Sequence, residues 1–586
     1  MINHLINSED TIRRSFELRS PFSKVIKPLA QRILIVTDGY SNGLSGSFGY
    51  YYFGLSNVVN TLLNTRLTFN IQFQLTLAHR QQDPLSLSEG DDDYARFGPN
   101  YENFRFINKA TDAKTGEVFD ITKFDQIWLF GVRELRDYDG VLDSDRLDDG
   151  ELALLTNWMQ AGGSLFATGD HETLGSSLCS RVPRIAKMRK WVEVRRPDGT
   201  MSTPPPQGGP DRHDTLMKGH DGKYTFDDES DDVPMTIYPK YYRIYNPISS
   251  QFIKKPHPVL CGRDGVIDIL PDHPHEGEVV AESEVDISDT LPNGQPEFPQ
   301  YEGAPFGPEV IATARVQSDH TNQNDTNKGE ANGKEFGAIG TYDGQKVNVG
   351  RVLVDSTWHH WFDVNLIGRP VNTLTSCPIS IQNPKHYGFL YSDEGIKNLC
   401  RIQNYHINVA YWLIPVTSRY DMLKGLMWHY VNEYPALERV RPNLSIPELG
   451  RAAQSILSGI VGLCLVPDIL SQVMPDDMKR IMEDIRQKGS EEIGLNINEN
   501  LITTYLLGGM TRQLLLISDS LNKRKSVSGD RQGEIDGEVR EALTKGMEEG
   551  FGQMLEVTSN ANRQTADYLG RMEKMSMEDS LRKKYL

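Results

Sequence analysis

Cysteine is scarce in this chain: five residues in 586, Cys179, Cys261, Cys377, Cys400 and Cys464, widely scattered and without a Cys-x-x-Cys pair. An odd, unpatterned set excludes a disulfide framework and suits free thiols in a reducing compartment. Positive charge is also in deficit, with 62 Lys+Arg against 80 Asp+Glu and a formal net charge of -18. Polyphosphate and acidic lipid repel such a surface, which argues against general nucleic-acid or anionic-membrane binding. Long hydrophobic runs are missing too. The most apolar stretch, residues 456–470, is broken by Pro467-Asp468 and is shorter than the ~20 residues a spanning helix needs. The first residues, Met1-Ile2-Asn3-His4 onward, show no basic segment followed by an apolar one. A secretory leader and a stable membrane anchor are therefore not expected, and the cytoplasm is. Neither a P-loop nor a Gly-x-Gly-x-x-Gly is present, and the glycine-rich segment 39–46 fits neither nucleotide fingerprint.

With 38% hydrophobic and 24% charged residues, the composition is that of an ordinary globular protein, and the length calls for roughly two to four domains. Residues 1–30 form an expected lead-in arm. The apolar run 32–37, ending at Asp38-Gly39-Tyr40, predicts a buried parallel strand. A helix is expected over 54–63, strands over 69–75 and 124–130, and a helix over 148–160 that Ala161-Gly162-Gly163 stops. The strand Ser164-Leu165-Phe166-Ala167 follows, and this alternation implies right-handed crossovers and a parallel sheet. A helix is expected from about residue 173, carrying Arg181, Arg184, Lys187, Arg189 and Lys190. Arg195 and Arg196 extend that basic run, which binds an anion or is simply a solvated face. Beyond about 394, strand signals stop and helical patterns occupy the rest of the chain.

Histidine is where chemistry concentrates. Three clusters, Gly169-Asp170-His171-Glu172, Asp272-His273-Pro274-His275-Glu276 and Asp355-Ser356-Thr357-Trp358-His359-His360, hold five of the fourteen histidines. The first and third directly follow strand-like runs, and residues past the carboxyl ends of strands line the ligand crevice of an open α/β sheet. Asp170, His171 and Glu172 occupy the first turn; helix capping is the plain alternative there. His359, His360 and Asp355 occupy the third, where adjacent histidines on extended chain face opposite ways. Asp38 and Glu134, after two other strands, are candidates to join them. His273 and His275 project to one face of an extended chain with Glu276 beside them, a metal-like spacing, though a solvated proline-rich turn gives the same pattern. His171, His273, His275, Glu276 and His359 are the candidate metal ligands, and zinc is the most suitable divalent ion.

Residues 32–38 and 124–131, the run Gly162-Gly163-Ser164-Leu165-Phe166-Ala167-Thr168-Gly169-Asp170-His171, and Gly350-Arg351-Val352-Leu353-Val354 with His359 resemble, in this order, the class I glutamine amidotransferase-like superfamily. The branch they look most like is the trehalose-utilisation (ThuA-like) type. In that superfamily the Gly-Gly-x-hydrophobic strand leads to an elbow. Classical members carry a cysteine there, and the ThuA-like branch a histidine. The resemblance covers roughly residues 30–370. It implies an active crevice at the elbow and the late strand, and the missing elbow cysteine makes thiolate hydrolysis of glutamine unexpected.

The expected fold is α/β: a flavodoxin-like, doubly wound, mostly parallel sheet with long insertions, followed by an all-α C-terminal domain. The boundaries expected are an arm at 1–30, the amidotransferase-like domain at 31–393 with insertions at about 195–235 and 283–335, and a helical domain at 394–586. Two functions are carried forward. One is a hydrolase- or isomerase-like enzyme on a small polar substrate, using His/Asp acid–base chemistry, with or without a divalent metal. The other is a catalytically degenerate ligand-binding or scaffold protein whose C-terminal helices mediate homo-oligomer assembly or partner binding.

Overall fold

The computed structural model describes residues 29–38, 40–41, 44–45, 48–49, 53–65, 71–82, 91, 93–135, 141–170, 174–191, 232–246, 251–271, 277–316, 334–368, 387–433, 444–482, 499–523 and 532–585. His171, Glu172, His273, His275 and Glu276 lie outside these residues. The chain divides into two compact units. One comprises residues 29–242 and 255–419, the other residues 1–28, 243–254 and 420–586.

In the α/β unit the main elements run β1 (Leu29–Thr37), α1 (Ser56–Asn64), β2 (Ile71–His79), β3 (Gln126–Phe130), α2 (Asp149–Gln160), β4 (Ser164–Thr168), α3 (Ser176–Cys179) and α4 (Ile185–Met188). There follow β5 (Met235–Pro239), β6 (Ile269–Leu270), β7 (Glu309–Val316), β8 (Lys334–Tyr342), β9 (Val352–Asp355), α5 (Asp363–Leu366) and α6 (Asp393–Trp412). Among the described residues these nine strands form one large mixed sheet in the order β6-β5-β7-β8-β9-β4-β3-β1-β2, and three two-stranded sheets lie outside it. The block β9-β4-β3-β1-β2 is parallel throughout. From β9 outward the pairing turns antiparallel. The inner strands β3, β4 and β9 are short and fully buried because both their faces are covered, so no polar alternation is needed, whereas the nine-residue edge strand β2 does alternate. Leu34, Val36, Ile127, Leu129, Leu165, Ala167, Val352 and Val354 pack on one side against Leu155 and Met159 of α2. On the other side Trp128, Phe130 and Phe166 stack around Trp361. This is the two-residue period of a strand put to use on both faces.

Helix α2 begins where the sequence signals it. Asp148 accepts from the Glu151 backbone N–H and Glu151 reaches back to the Asp148 N–H, a complete capping box. Glu151 also anchors the neighbouring chain, its carboxylate taking both arms of the fully buried Arg80 guanidinium at 2.7 and 2.9 Å. The helix expected from residue 173 is instead two short pieces, α3 and α4. Pro183 removes a backbone donor between them, and Arg184 sits at φ 66, outside helical space. Helix α6, which the sequence groups with the C-terminal helices, packs within the α/β unit: Gln126 Nε2 on β3 donates to the Ala410 carbonyl at 2.8 Å.

The second unit is mainly helical, with parts of the two short strands Tyr241–Asn246 and Gln251–Pro256. Its elements are α7 (Val416–Glu433), which carries the chain across the division, α8 (Ile446–Val461), α9 (Leu465–Val473), α10 (Glu499–Lys523) and α11 (Gln532–Tyr585). Helices α10 and α11 approach backbone to backbone: a Cβ on Gly509 would stand 2.0 Å from the Gly546 carbonyl oxygen. Any side chain there would force the helices apart. Among the described residues no helix is long and apolar enough to cross a membrane.

The Arg80–Glu151 pair sets a stability prediction. Glu151→Ala leaves a guanidinium buried without its carboxylate, a change that costs ~3–5 kcal/mol. Urea unfolding of the full chain should show its α/β transition at a clearly lower midpoint; an unchanged midpoint would mean the pair contributes nothing.

Candidate active site

The candidate site is built where β4 and β9 end. The two strands pair in parallel with Asp355 level with Thr168, so the segments that leave them, Gly169-Asp170 and Ser356-Thr357, emerge side by side at one sheet edge. Thr357 joins them. Its hydroxyl donates to Asp170 Oδ1 at 2.8 Å and accepts from the His359 backbone N–H at 3.1 Å, capping the short turn Trp358–His360. That turn swings the His359 imidazole over the elbow, with Nε2 3.3 Å from Asp170 Oδ2. The other ring nitrogen, Nδ1, lies 2.9 Å from the Asn365 side-chain oxygen. An amide oxygen only accepts, so Nδ1 carries the hydrogen and Nε2 is the nitrogen left to exchange a proton. The Trp358 indole lies 4.1 Å from the His359 ring, centroid to centroid, and fixes its plane.

His360 points to the other carboxylate. Its Nδ1 is 2.7 Å from Asp355 Oδ1, while Asp355 Oδ2 accepts from Trp361 Nε1 at 2.9 Å and Tyr405 OH at 2.8 Å. A carboxylate holding Nδ1–H leaves Nε2 as the basic nitrogen, and His360 Nε2 has no hydrogen-bond partner among the described residues. The adjacent histidines diverge, one to each carboxylate, but from a 3-10 turn rather than from the extended chain expected, so both rings reach this edge. Both rings are fully buried, as are Asp355 and, within 1% exposure, Asp170. Behind them His406 stacks on Trp361 and its Nε2 meets the His360 carbonyl at 2.9 Å. Burial pushes its pKa down to about 4, with the nearby His360 adding to the effect, so the ring is neutral at pH 7.

Asp38, at the end of β1, lies where the strand order reverses between β1 and β3. Its carboxylate accepts from the Val132 and Arg133 backbone N–H groups at 2.7 and 3.0 Å, just past β3. Burial outweighs those donors and raises its pKa to about 6. Glu134 is half-buried beyond β3. Cys179 is buried beneath the elbow, and desolvation, reinforced by Asp38, pushes its thiol well above the ordinary range. A thiol so placed stays protonated and unreactive.

Of the residues expected from sequence, Asp170, His359, His360 and Asp355 fall at this edge in two pairs. Among the described residues no group of three or more His, Cys, Asp and Glu side chains is placed to hold a metal. Thr357, Asn365, Tyr405 and His406 are additions that only the structure supplies. Asn365 has its position six residues past His359 as its one sequence signal, and the helical pattern of α6 hides Tyr405 and His406 among the C-terminal helices.

The same segment anchors α1. Asp363 accepts from the Ser56 hydroxyl at 2.6 Å and from the Ser56 and Asn57 backbone N–H groups at 3.1 and 2.9 Å. Burial raises this carboxyl to about 7, against 3.8 for its ordinary value. The folded chain therefore binds the proton more tightly than the unfolded chain. Its stability contribution is greatest below pH 4 and is lost as pH rises through 7. Asp363→Asn should shrink the fall in melting temperature between pH 5 and pH 8 by roughly 4 °C or more relative to wild type; parallel pH profiles would contradict this.

No protein-family model matches the chain, and a search of curated proteins finds no significant relative.

Proposed function

We propose that the chain is a hydrolase- or isomerase-like enzyme acting on a small polar substrate, with Asp170 and His359 as its acid–base pair. The observation that carries this reading is the 3.3 Å approach of His359 Nε2 to Asp170 Oδ2, from turns that leave neighbouring parallel strands. Asn365 fixes the tautomer, so Nε2 takes the proton from substrate or water, and Asp170 stabilises the imidazolium that forms. Asp355 and His360 form a second pair one strand position away, with Nε2 again the basic nitrogen. The parallel block β2-β1-β3-β4-β9 follows the order of flavodoxin-like sheets, which bind ligands at the carboxyl ends of the strands. That order supports the amidotransferase-like resemblance. The protonated Cys179 thiol supports chemistry without a sulfur nucleophile.

A divalent ion is the optional part of this reading. Asp170 Oδ2 and His359 Nε2, 3.3 Å apart, would share such an ion only in place of the proton, because a metal on Nε2 takes the lone pair that acid–base work needs, and its further ligands would have to come from outside the described residues. Zinc there would lower the pKa of a bound water. Elemental analysis should find about one equivalent in the purified chain, lost in His359→Ala; metal-free protein with full turnover would remove the ion from the proposal.

The complete burial of both pairs favours a second reading, in which they are structural and the chain is a degenerate ligand-binding or scaffold protein assembled through its helical unit. Turnover decides between them. A panel of small amides, esters and hydroxyketones should reveal an activity that His359→Gln and Asp170→Asn each lower by ~10²–10⁴-fold without loss of fold. Unchanged turnover in both variants would favour the scaffold.

A further inference from the structure

The basic run 181–190 stands out in an acidic chain, and most of it is accounted for by neighbours. Arg181 meets Asp149 at 2.5 Å, Lys187 pairs with Asp289, and Lys190 lies 2.9 Å from Glu278. Arg184 donates to the Glu297 carbonyl and the Gln160 side chain. Arg189 differs. Its guanidinium, like that of Arg184, is buried and pairs with no carboxylate among the described residues, and it rests 4.0 Å over the Trp191 ring. Its Nη2 donates to the Asp170 carbonyl at 2.5 Å and the Ser356 carbonyl at 2.8 Å, with Nε 3.3 Å from the latter. These bonds strap together the two turns that carry Asp170 and His359. They do not use Nη1, which is buried without a hydrogen-bond partner among the described residues.

A buried cation with an unused donor is costly unless an acceptor meets it. If Arg189 served only to strap two carbonyls, a neutral donor would suffice without the charge. The planar guanidinium with a free edge is the group that suits carboxylate and phosphate oxygens. Trp191 covers one face, so an acceptor for Nη1 would lie in the plane of the fork. Of the described acids nearby, whose charges act on Arg189 from beyond pairing distance, Asp355 is engaged by His360, Trp361 and Tyr405, and Asp170 by Thr357 and His359.

We propose that Arg189 is an oxyanion-binding residue, its Nη1 edge holding a carboxylate or phosphate group of a small anionic ligand beside the Asp170–His359 pair. The binding claim stands on Arg189 alone; that the ligand is the substrate rests on the acid–base reading above. The ligand class thereby narrows from small and polar to small and anionic.

Isothermal titration of the full chain with acetate and with inorganic phosphate tests this. Saturation is the readout, because phosphate raises melting temperatures without specific binding. One of the two anions should bind with one equivalent, and which one does so tells carboxylate from phosphate. Arg189→Lys, which keeps the charge but loses the fork, should weaken binding by about tenfold or more. Arg189→Met should weaken it further, and Arg181→Lys should leave it unchanged. No saturable binding of either anion, or equal binding by wild type and Arg189→Lys, would overturn the proposal. Arg189-dependent binding with full turnover in Asp170→Asn would instead sink the acid–base reading and leave the anion site standing.

Discussion

The site depends on the parallel pairing of β4 with β9, which sets Asp355 level with Thr168. These strands are far apart in sequence, and only their ladder brings the elbow and the late histidine turn to one edge. A one-residue slip would reverse every side chain on a strand, moving Asp355 away from His360 and Tyr405. The register is held by apolar side chains on both faces: Leu165, Ala167, Val352 and Val354 on one, Phe166 on the other. The hydrophobic core of the sheet and the placement of the polar groups are therefore one constraint.

Burying this many titratable groups is expensive unless each finds partners. Asp355 collects hydrogen bonds from an imidazole, an indole and a phenol, and Asp170 from a threonine hydroxyl, with an imidazole opposite. Asp38 and Asp363 are held by backbone N–H groups, with the Ser56 hydroxyl added at Asp363, and burial still prevails, pushing both carboxyls upward. The carboxylates paired with histidine sit at the meeting of β4 and β9, while those whose carboxyls are raised sit at β1 and beneath α1.

Much of the sheet is legible in the sequence because parallel strands covered on both faces must be short apolar runs, and 32–37, 124–130 and 164–167 are such runs. The capping box of α2 is local in the same way: its donors and acceptors lie three residues apart. The break at Pro183-Arg184 reads as continuous helix, because the spacing of basic residues there mimics a helical face. Helix α6 reads as one of the C-terminal helices because its periodicity resembles theirs. Its place against the sheet rests on contacts such as Gln126 to Ala410, between residues far apart in the chain. The basic run shows in composition, but its differentiation does not. Which of five similar side chains meet a carboxylate depends on acids such as Asp149, Glu278 and Asp289, distant in sequence.

Local sequence was enough to name Asp170, Asp355, His359 and His360 and the strand ends that carry them, since apolar runs followed by Gly-Asp-His and Asp-Ser-Thr-Trp-His-His specify local geometry directly. The pairings came from the fold: His359 with Asp170, His360 with Asp355, and Arg189 across both turns. The reason is physical. Strand and turn formation are governed by neighbours in the chain, whereas hydrogen bonding in a buried cluster is governed by which groups the sheet register brings within about 3 Å.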